Sequence, residues 1–323
     1  MNISVIFTGG TIGSVQKDAW VGVDESTQYT LLQPFQTRYE EICFTTGAPY
    51  NILSENLSAD QLNLLQKEVW RVLQEKPDGI IITHGTDTLQ YAATAIEYAF
   101  GDAEIPIVFV SADYPLEDSK SNGYVNFEAA VEFILHSKQA GVYVSYKNED
   151  KACVDFHVAS RLLQHNEASA NLYSLQNVIC ATYENELCVC NSIPASGQSI
   201  GVASYLCNPG ILTVESVPGN HYRYDLEGVQ AILLKPYHSA TLNTDNEAFV
   251  TFCRQAQAKK IPIFISNVPK GEQYESSKSF AALGIRVAPY STFVALYMKL
   301  WLGISLKVDL GAFVDQPICR EIG

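Results

Sequence analysis

The segment from Gly79 to Thr88 reads Gly-Ile-Ile-Ile-Thr-His-Gly-Thr-Asp-Thr. Its three isoleucines predict a buried strand, which ends at His84-Gly85 because glycine permits a sharp turn. The segment that follows carries apolar side chains at helical spacing, and Thr88 is predicted to cap that helix. Thr86, Asp87 and Thr88 therefore lie where a strand leads into a helix, which is where open parallel sheets bind ligands.

A second turn of this kind opens the chain. The predicted strand Asn2–Thr8 runs into Gly9-Gly10-Thr11-Ile12-Gly13-Ser14. The glycine spacing differs from a dinucleotide-binding fingerprint, and the Gly-Lys-Ser/Thr ending of a phosphate-binding P-loop is absent. The turn is predicted to direct backbone N–H groups toward a ligand, and Thr11 adds a hydroxyl.

The remaining pattern alternates strands and helices, which predicts a parallel sheet with helices on both faces. Residues 17–39 show no clear period and are interpreted as a long loop, with a hairpin possible, of the kind that closes over sites. Capping boxes are predicted at Ser58 with Gln61 and at Thr244 with Glu247. The predicted organisation is an N-terminal α/β domain over 1–195, a linker over 196–210 and a smaller C-terminal α/β domain over 211–323.

Composition and charge disfavour several classes of function. The formal net charge is −14, which disfavours binding to nucleic acid or to an anionic membrane surface. The eight cysteines are scattered. The close pair Cys188 and Cys190 has no second pair at zinc-ligand spacing, so no metal site is expected. The chain starts on a predicted strand without a signal peptide or a membrane-spanning run, and a cytoplasmic location is expected.

Four stretches resemble the bacterial L-asparaginase family, closest to its cytosolic type I branch. The resemblance is clear over roughly the first half of the chain and thins beyond Tyr173. The stretches are Phe7–Ser14, Ser54–Leu57, Thr83–Thr88 and Ala112–Asn126.

The resemblance implies a larger flavodoxin-like N-terminal domain, a smaller C-terminal α/β domain and hydrolysis of L-asparagine to L-aspartate and ammonia without a cofactor. It implies Thr11 as the nucleophile and a second catalytic arm of Thr86, Asp87 and the residue at position 164. Ser54 and Asp87 would hold the α-carboxylate and α-amine of the substrate. The other residues that it implies at the substrate are Gly10, Glu55, Gly85 and Ala112.

The sequence departs from that family at three positions. Gln164 stands where a lysine is expected, with Lys147 and Lys151 as the alternatives, and glutamine can neither take up a proton nor supply positive charge. The tyrosine expected after Thr11 falls at Trp20 or Val21, with Tyr29 as the nearest tyrosine. Val294 stands where a partner subunit usually contributes an acid.

Three functions remain open at this point. The first is an asparaginase-class amidohydrolase, expected to form homodimers or homotetramers. The second is an amino-acid-binding or sensing protein without catalysis, which Gln164 and Val294 motivate. The third is a component of a tRNA-dependent amidotransferase, ranked last because the chain begins on its first strand and is strongly acidic. His84 is predicted to be a packed turn residue and His165 a surface residue.

Overall fold

The computed structural model describes residues 1–17, 20–23, 26–137, 139–166, 168–192, 197–268 and 274–323, and it leaves out the side chains of 13–29. The chain divides into two compact units. The first comprises Met1–Ala203 with Ile318–Arg320, and the second comprises Ser204–Pro317 with Glu321–Gly323.

The first unit is built on a mixed sheet, with a separate hairpin. The described strands are β1 (Asn2–Phe7), β2 (Ser14–Lys17), β3 (Trp20–Val23), β4 (Cys43–Gly47), β5 (Gly79–Thr83), β6 (Pro106–Val110), β7 (Gly141–Tyr146), β8 (Val154–Val158), β9 (Ile179–Glu184) and β10 (Leu187–Cys190). The strand order in the sheet is β10-β9-β8-β7-β6-β5-β1-β4, and the hairpin pairs β2 with β3. The described helices are α1 (Ser26–Arg38), α2 (Ala59–Gln74), α3 (Leu89–Phe100) and α4 (Gly123–His136).

The sheet is parallel from β4 to β7, as the alternating pattern predicted. Every residue of β5, β6 and β7 is buried, which is typical of strands covered by helices on both faces. The last three strands run antiparallel. The antiparallel pairing begins at β8 because the short connection between Tyr146 and Val154 leaves no room for a crossover helix.

The segment after Thr11 differs most from its prediction. The hairpin of β2 and β3 is present, but α1 occupies Ser26–Arg38 where a loop was expected. In its second half, Leu31, Leu32 and Phe35 are buried in the core of the first unit. After β4, Ile52 forms an isolated bridge with Gly9.

The second unit contains a parallel sheet with the strand order β11-β12-β13-β14. Its described elements are β11 (Ile211–Glu215), β12 (Ala231–Lys235), α5 (Glu247–Ala258), β13 (Ile263–Ile265), β14 (Ile285–Val287), α6 (Phe293–Leu306) and α7 (Leu310–Asp315). The capping box at Thr244 was wrong, since the side chain of Asn246 accepts from the first N–H groups of α5. Within the described ranges, no helix is both long and apolar enough to cross a membrane.

Candidate active site

The turns after β1 and β5 meet backbone to backbone. A Cβ placed on Gly10 would overlap the amide nitrogen and Cα of Gly85 and would lie 2.9 Å from the carbonyl carbon of His84. Gly10 also has φ +77°, a conformation that side-chain-bearing residues rarely adopt. Glycine at both positions therefore lets the two turns that carry Thr11 and Thr86 touch.

Ser54 completes this junction from the segment after β4. Its side chain is buried, and its Cβ would lie 2.6 Å from a Cβ on Gly85. The Gly10 N–H donates to the Ile52 carbonyl at 2.9 Å. That N–H is already used within the protein, so any ligand at this turn would need other N–H donors.

Thr88 was predicted to cap α3, but its hydroxyl makes a different hydrogen bond. It occupies the N-cap position of α3, but its side chain accepts no capping hydrogen bond. Its hydroxyl instead donates to the Ser54 carbonyl at 2.7 Å. The start of α3 is thereby tied to the turn that carries Ser54.

The reactive side chains of this junction differ in exposure. Thr11 begins a 3₁₀ turn over Thr11–Gly13 and is half-buried, as is Thr86. Asp87 is exposed, and so is Glu55 in the 3₁₀ turn Ser54–Asn56. The two threonines and Asp87 therefore remain accessible to solvent.

His84 is a packed turn residue, as predicted. Its Nδ1 lies 2.9 Å from the Gly85 carbonyl, and its ring packs edge-on against Phe109 at 6.2 Å between centroids. Burial lowers the pKa of His84 to about 4. The imidazole is therefore neutral at neutral pH and adds no positive charge beside Thr86.

The loop after β6 is fixed by reciprocal hydrogen bonds. The Asp113 N–H donates to Oδ1 of Asn122 at 3.0 Å, and the Asn122 N–H donates to Oδ1 of Asp113 at 3.0 Å. Ala112 is fully buried, and its Cβ would lie 3.0 Å from a Cβ on Gly123. Since the His84 N–H donates to the Val110 carbonyl at 2.9 Å, this loop leaves the sheet beside the Thr86 turn.

The segment that carries Gln164 packs on α3. In the 3₁₀ turn Ala159–Arg161, the Ser160 N–H donates to Oε2 of Glu97 at 2.5 Å. Gln164 itself is exposed. The next residue, His165, is within the electrostatic influence of Asp87, which raises its pKa against the larger lowering effect of burial.

Lys147 and Lys151 are the alternatives to Gln164. Lys151 forms an ion pair with Asp155 on β8. Both lysines line a cavity of about 400 Å³ together with Asp113 and Asn122.

The other two departures from the family concern Val294 and the segment after Thr11. Val294 is fully buried in α6. Leu296 and Leu300 of the same helix pack in the core of the second unit. The predictions at Trp20, Val21 and Tyr29 concern side chains outside the described part of the chain.

Sequence reasoning missed a buried ion pair beneath the site. Nε of Arg320 lies 3.3 Å from Oε1 of Glu97 in α3. The Arg161 guanidinium donates to the Arg320 carbonyl at 2.6 Å, and Arg320 donates to the Tyr143 hydroxyl at 2.9 Å. A glutamate in an otherwise apolar helix was the one signal, because a buried charge requires a partner. This network fixes the turn that leads to Gln164.

Comparison with known proteins gives a consistent picture. A family model described as asparaginase, N-terminal, matches residues 2–183. One of the subunits of the glutamyl-tRNA(Gln) amidotransferase from Methanosphaera stadtmanae is 26% identical over 178 residues, which are 55% of this chain and 40% of that protein. The corresponding protein of Methanobrevibacter smithii is 32% identical over 126 residues, which are 38% of this chain and 29% of that protein. The chain thus spans well under half of these curated relatives.

Solved structures match over the whole chain. The thermostable L-asparaginase from Thermococcus kodakarensis superposes with a TM-score of 0.82 at 20% identity, covering 100% of this chain and 99% of that one. L-asparaginase I from Vibrio cholerae gives a TM-score of 0.81 at 20% identity, with the same coverage. At this identity, the match establishes a shared two-domain fold.

Proposed function

Because the chain belongs to the asparaginase family, we propose that it is an amidohydrolase that converts L-asparagine to L-aspartate and ammonia. The observation that carries the proposal is the backbone contact of Gly10 with Gly85. That contact brings the turns of Thr11 and Thr86 to one edge of the sheet, where a strand end and a helix start supply hydroxyls, a carboxylate and backbone amides.

Thr11 is the nucleophile in this proposal. Its hydroxyl attacks the side-chain amide carbon, ammonia leaves, and water releases L-aspartate from the resulting ester. A threonine hydroxyl is weakly nucleophilic and needs a proton acceptor within reach. Thr86 and Asp87 supply the arm that leads the proton away, next to the exposed Gln164.

Substrate recognition falls to the rest of the junction. The Asp87 carboxylate pairs with the α-ammonium group, and the buried Ser54 hydroxyl donates to the α-carboxylate. Gly10 and Gly85 keep side chains out of the pocket, Glu55 lies at its exposed side, and Ala112 leaves space for a small amide. This chemistry requires no cofactor and no metal ion.

The test is ammonia release from L-asparagine and L-glutamine by the wild type and by Thr11→Ala. We expect release from L-asparagine and a loss of at least about 10³-fold in kcat for Thr11→Ala, since the covalent step disappears. Thr37→Ala is the matched control, because Thr37 is exposed and its hydroxyl donates to the Gln33 carbonyl within α1. Calorimetric binding of asparagine without ammonia release would instead indicate the amino-acid-binding function.

A second candidate is a component of a tRNA-dependent amidotransferase. The curated relatives are named as parts of such an enzyme, although the chain matches less than half of their length. Ammonia release that requires an added tRNA or protein partner would favour this candidate. The net charge of −14 weighs against direct tRNA binding.

We also propose a homodimer or homotetramer. Sedimentation as a monomer at micromolar concentration would contradict this assembly.

A further inference from the structure

The helix α3 carries three polar side chains on one buried face. Gln90, Thr94 and Glu97 are fully buried, and their spacing of four and three residues places them on the same side of the helix. The Thr94 hydroxyl lies 3.5 Å from the Ala159 carbonyl oxygen, so this face meets the segment that leads to Gln164. Buried polar groups destabilise a fold unless they are hydrogen-bonded, so each of these side chains requires an explanation.

Gln90 is the residue of this face that contacts the candidate active site. Its Nε2 donates to the Asp87 carbonyl at 3.1 Å. Its Oε1 is buried and has no hydrogen-bond partner among the described residues. The backbone of Gln90 is held in turn, because its carbonyl accepts from the Thr94 hydroxyl at 2.7 Å. The side-chain amide is therefore directed at the backbone of a proposed site residue and leaves its own acceptor unpaired.

A second buried glutamine shows how an amide with a purely structural role is bonded. Gln66 lies in α2, where its Nε2 donates to the Ala203 carbonyl at 3.0 Å and its Oε1 accepts from the Ala203 N–H at 3.1 Å. Both ends of that amide are satisfied, as is usual for buried polar groups. An unpaired buried acceptor such as Oε1 of Gln90 is destabilising, so stability of the fold does not by itself account for glutamine at position 90.

The hydrogen bond from Gln90 restricts the orientation of Asp87. The Asp87 carbonyl belongs to the peptide group that joins Asp87 to Thr88, so holding this carbonyl limits rotation of the Asp87 backbone. The hydroxyl of Thr88 donates to the Ser54 carbonyl at 2.7 Å. The backbone beside the exposed Asp87 carboxylate is thus anchored twice, once within α3 and once to the Ser54 turn.

We propose that Gln90 is a positioning residue that orients the Asp87 carboxylate toward the α-ammonium group of the substrate. The inference rests on the proposed amide hydrolysis, in which Asp87 pairs with that group. A charge-assisted hydrogen bond is directional and weakens when one partner is misplaced. Gln90, acting through Asp87, therefore helps the site to select ligands with an α-amino group over otherwise identical ligands that lack it.

The test compares two ligands that differ only in the α-amino group. Calorimetry gives the Kd of L-aspartate and of succinate for the wild type, for Gln90→Met and for the control Gln66→Met. Methionine has about the length of glutamine and lacks the amide. We expect the wild type to bind L-aspartate more tightly than succinate. In Gln90→Met, the Kd of L-aspartate should rise about threefold to tenfold and that of succinate less than about twofold.

The control separates positioning from stability. Gln66→Met leaves the Ala203 N–H and carbonyl without their partner, so it should lower Tm more than Gln90→Met does. It should nevertheless keep the wild-type ratio of the two Kd values. The proposal is overturned if the wild type does not distinguish the two ligands, if the ratio is unchanged in Gln90→Met, or if Gln66→Met changes it equally.

Two further measurements complete the test. Gln90→Leu, which also lacks the amide, replaces Gln90→Met if the latter does not fold, and loss of folding in both variants overturns the proposal. Steady-state kinetics should show that Gln90→Met raises KM for L-asparagine more than it lowers kcat. If the wild type releases no ammonia from either amide while the Kd ratio falls in Gln90→Met, the proposed hydrolysis fails and the positioning role stands.

Discussion

Gly10→Ala is the substitution that most directly probes the contact between the two turns. The new Cβ would overlap the amide nitrogen and Cα of Gly85, and backbone atoms cannot move aside as a flexible side chain can. At φ +77°, alanine also costs about 1–2 kcal/mol in backbone strain. Overpacking adds about 1–3 kcal/mol, so the total loss of unfolding free energy is about 2–5 kcal/mol.

Gly201→Ala separates the two contributions. Gly201 has nearly the same φ, +80°, but a Cβ there meets nothing within 4 Å. Its cost should be the strain alone, about 1–2 kcal/mol. The difference between the two variants then measures the contact of the turns.

The assay pairs thermal unfolding with ammonia release. For a unit of this size, each kcal/mol lowers Tm by about 2–4 °C. If the turns of Thr11 and Thr86 are pushed about 1 Å apart, kcat/KM should fall about 10²-fold, whereas Gly201→Ala should keep it. The reasoning is refuted if Gly10→Ala matches Gly201→Ala in both Tm and kcat/KM.

Two further predictions concern acid stability and the anchor of the Ser54 turn. Burial lowers the pKa of His84 and of His157 from 6.5 to about 4. As the pH falls, these histidines therefore take up protons in the unfolded chain before they do so in the folded chain. Their contribution to the free energy of unfolding is fully present above pH 6.5 and decreases toward pH 4, by about 2 kcal/mol per histidine between pH 7 and 5. Denaturant titrations at both pH values check this, and a His157→Phe variant that keeps the full pH dependence would contradict it. Thr88→Val should raise KM for asparagine several-fold and cost about 1 kcal/mol, since it removes the 2.7 Å hydrogen bond to Ser54, whereas Thr88→Ser should keep both values. Steady-state kinetics and denaturant titration of the two variants decide this, and an unchanged KM in Thr88→Val would show that the bond does not position Ser54.

The centre of the fold is readable from local sequence because its signals are local. A run of isoleucines followed by His84-Gly85 marks a buried strand and its turn, and Leu89–Phe100 carries its own helical period. The helix α1 was missed because its residues include Pro34 and many polar side chains and show no apolar period. A strand of three residues, such as β14, is too short to show a periodic pattern of apolar side chains.

The details of the site depended on contacts between distant parts of the chain. Thr88 has the residue type and position of a helix cap, but its hydroxyl donates to the Ser54 carbonyl instead. The pairing of Glu97 with Arg320 joins α3 to the end of the chain, which no spacing rule reaches. His165 was predicted as a surface residue, because burial of one ring nitrogen arises only when the turn at Asn171 closes over it.

A crystal structure of Thr11→Ala soaked with L-asparagine tests the central claim most directly, because this variant should bind the amide without consuming it. The account predicts the side-chain amide carbon next to the Cα of residue 11, with the α-ammonium group at Asp87 and the α-carboxylate at Ser54. Asparagine bound elsewhere, or with its amide directed away from residue 11, would contradict the account.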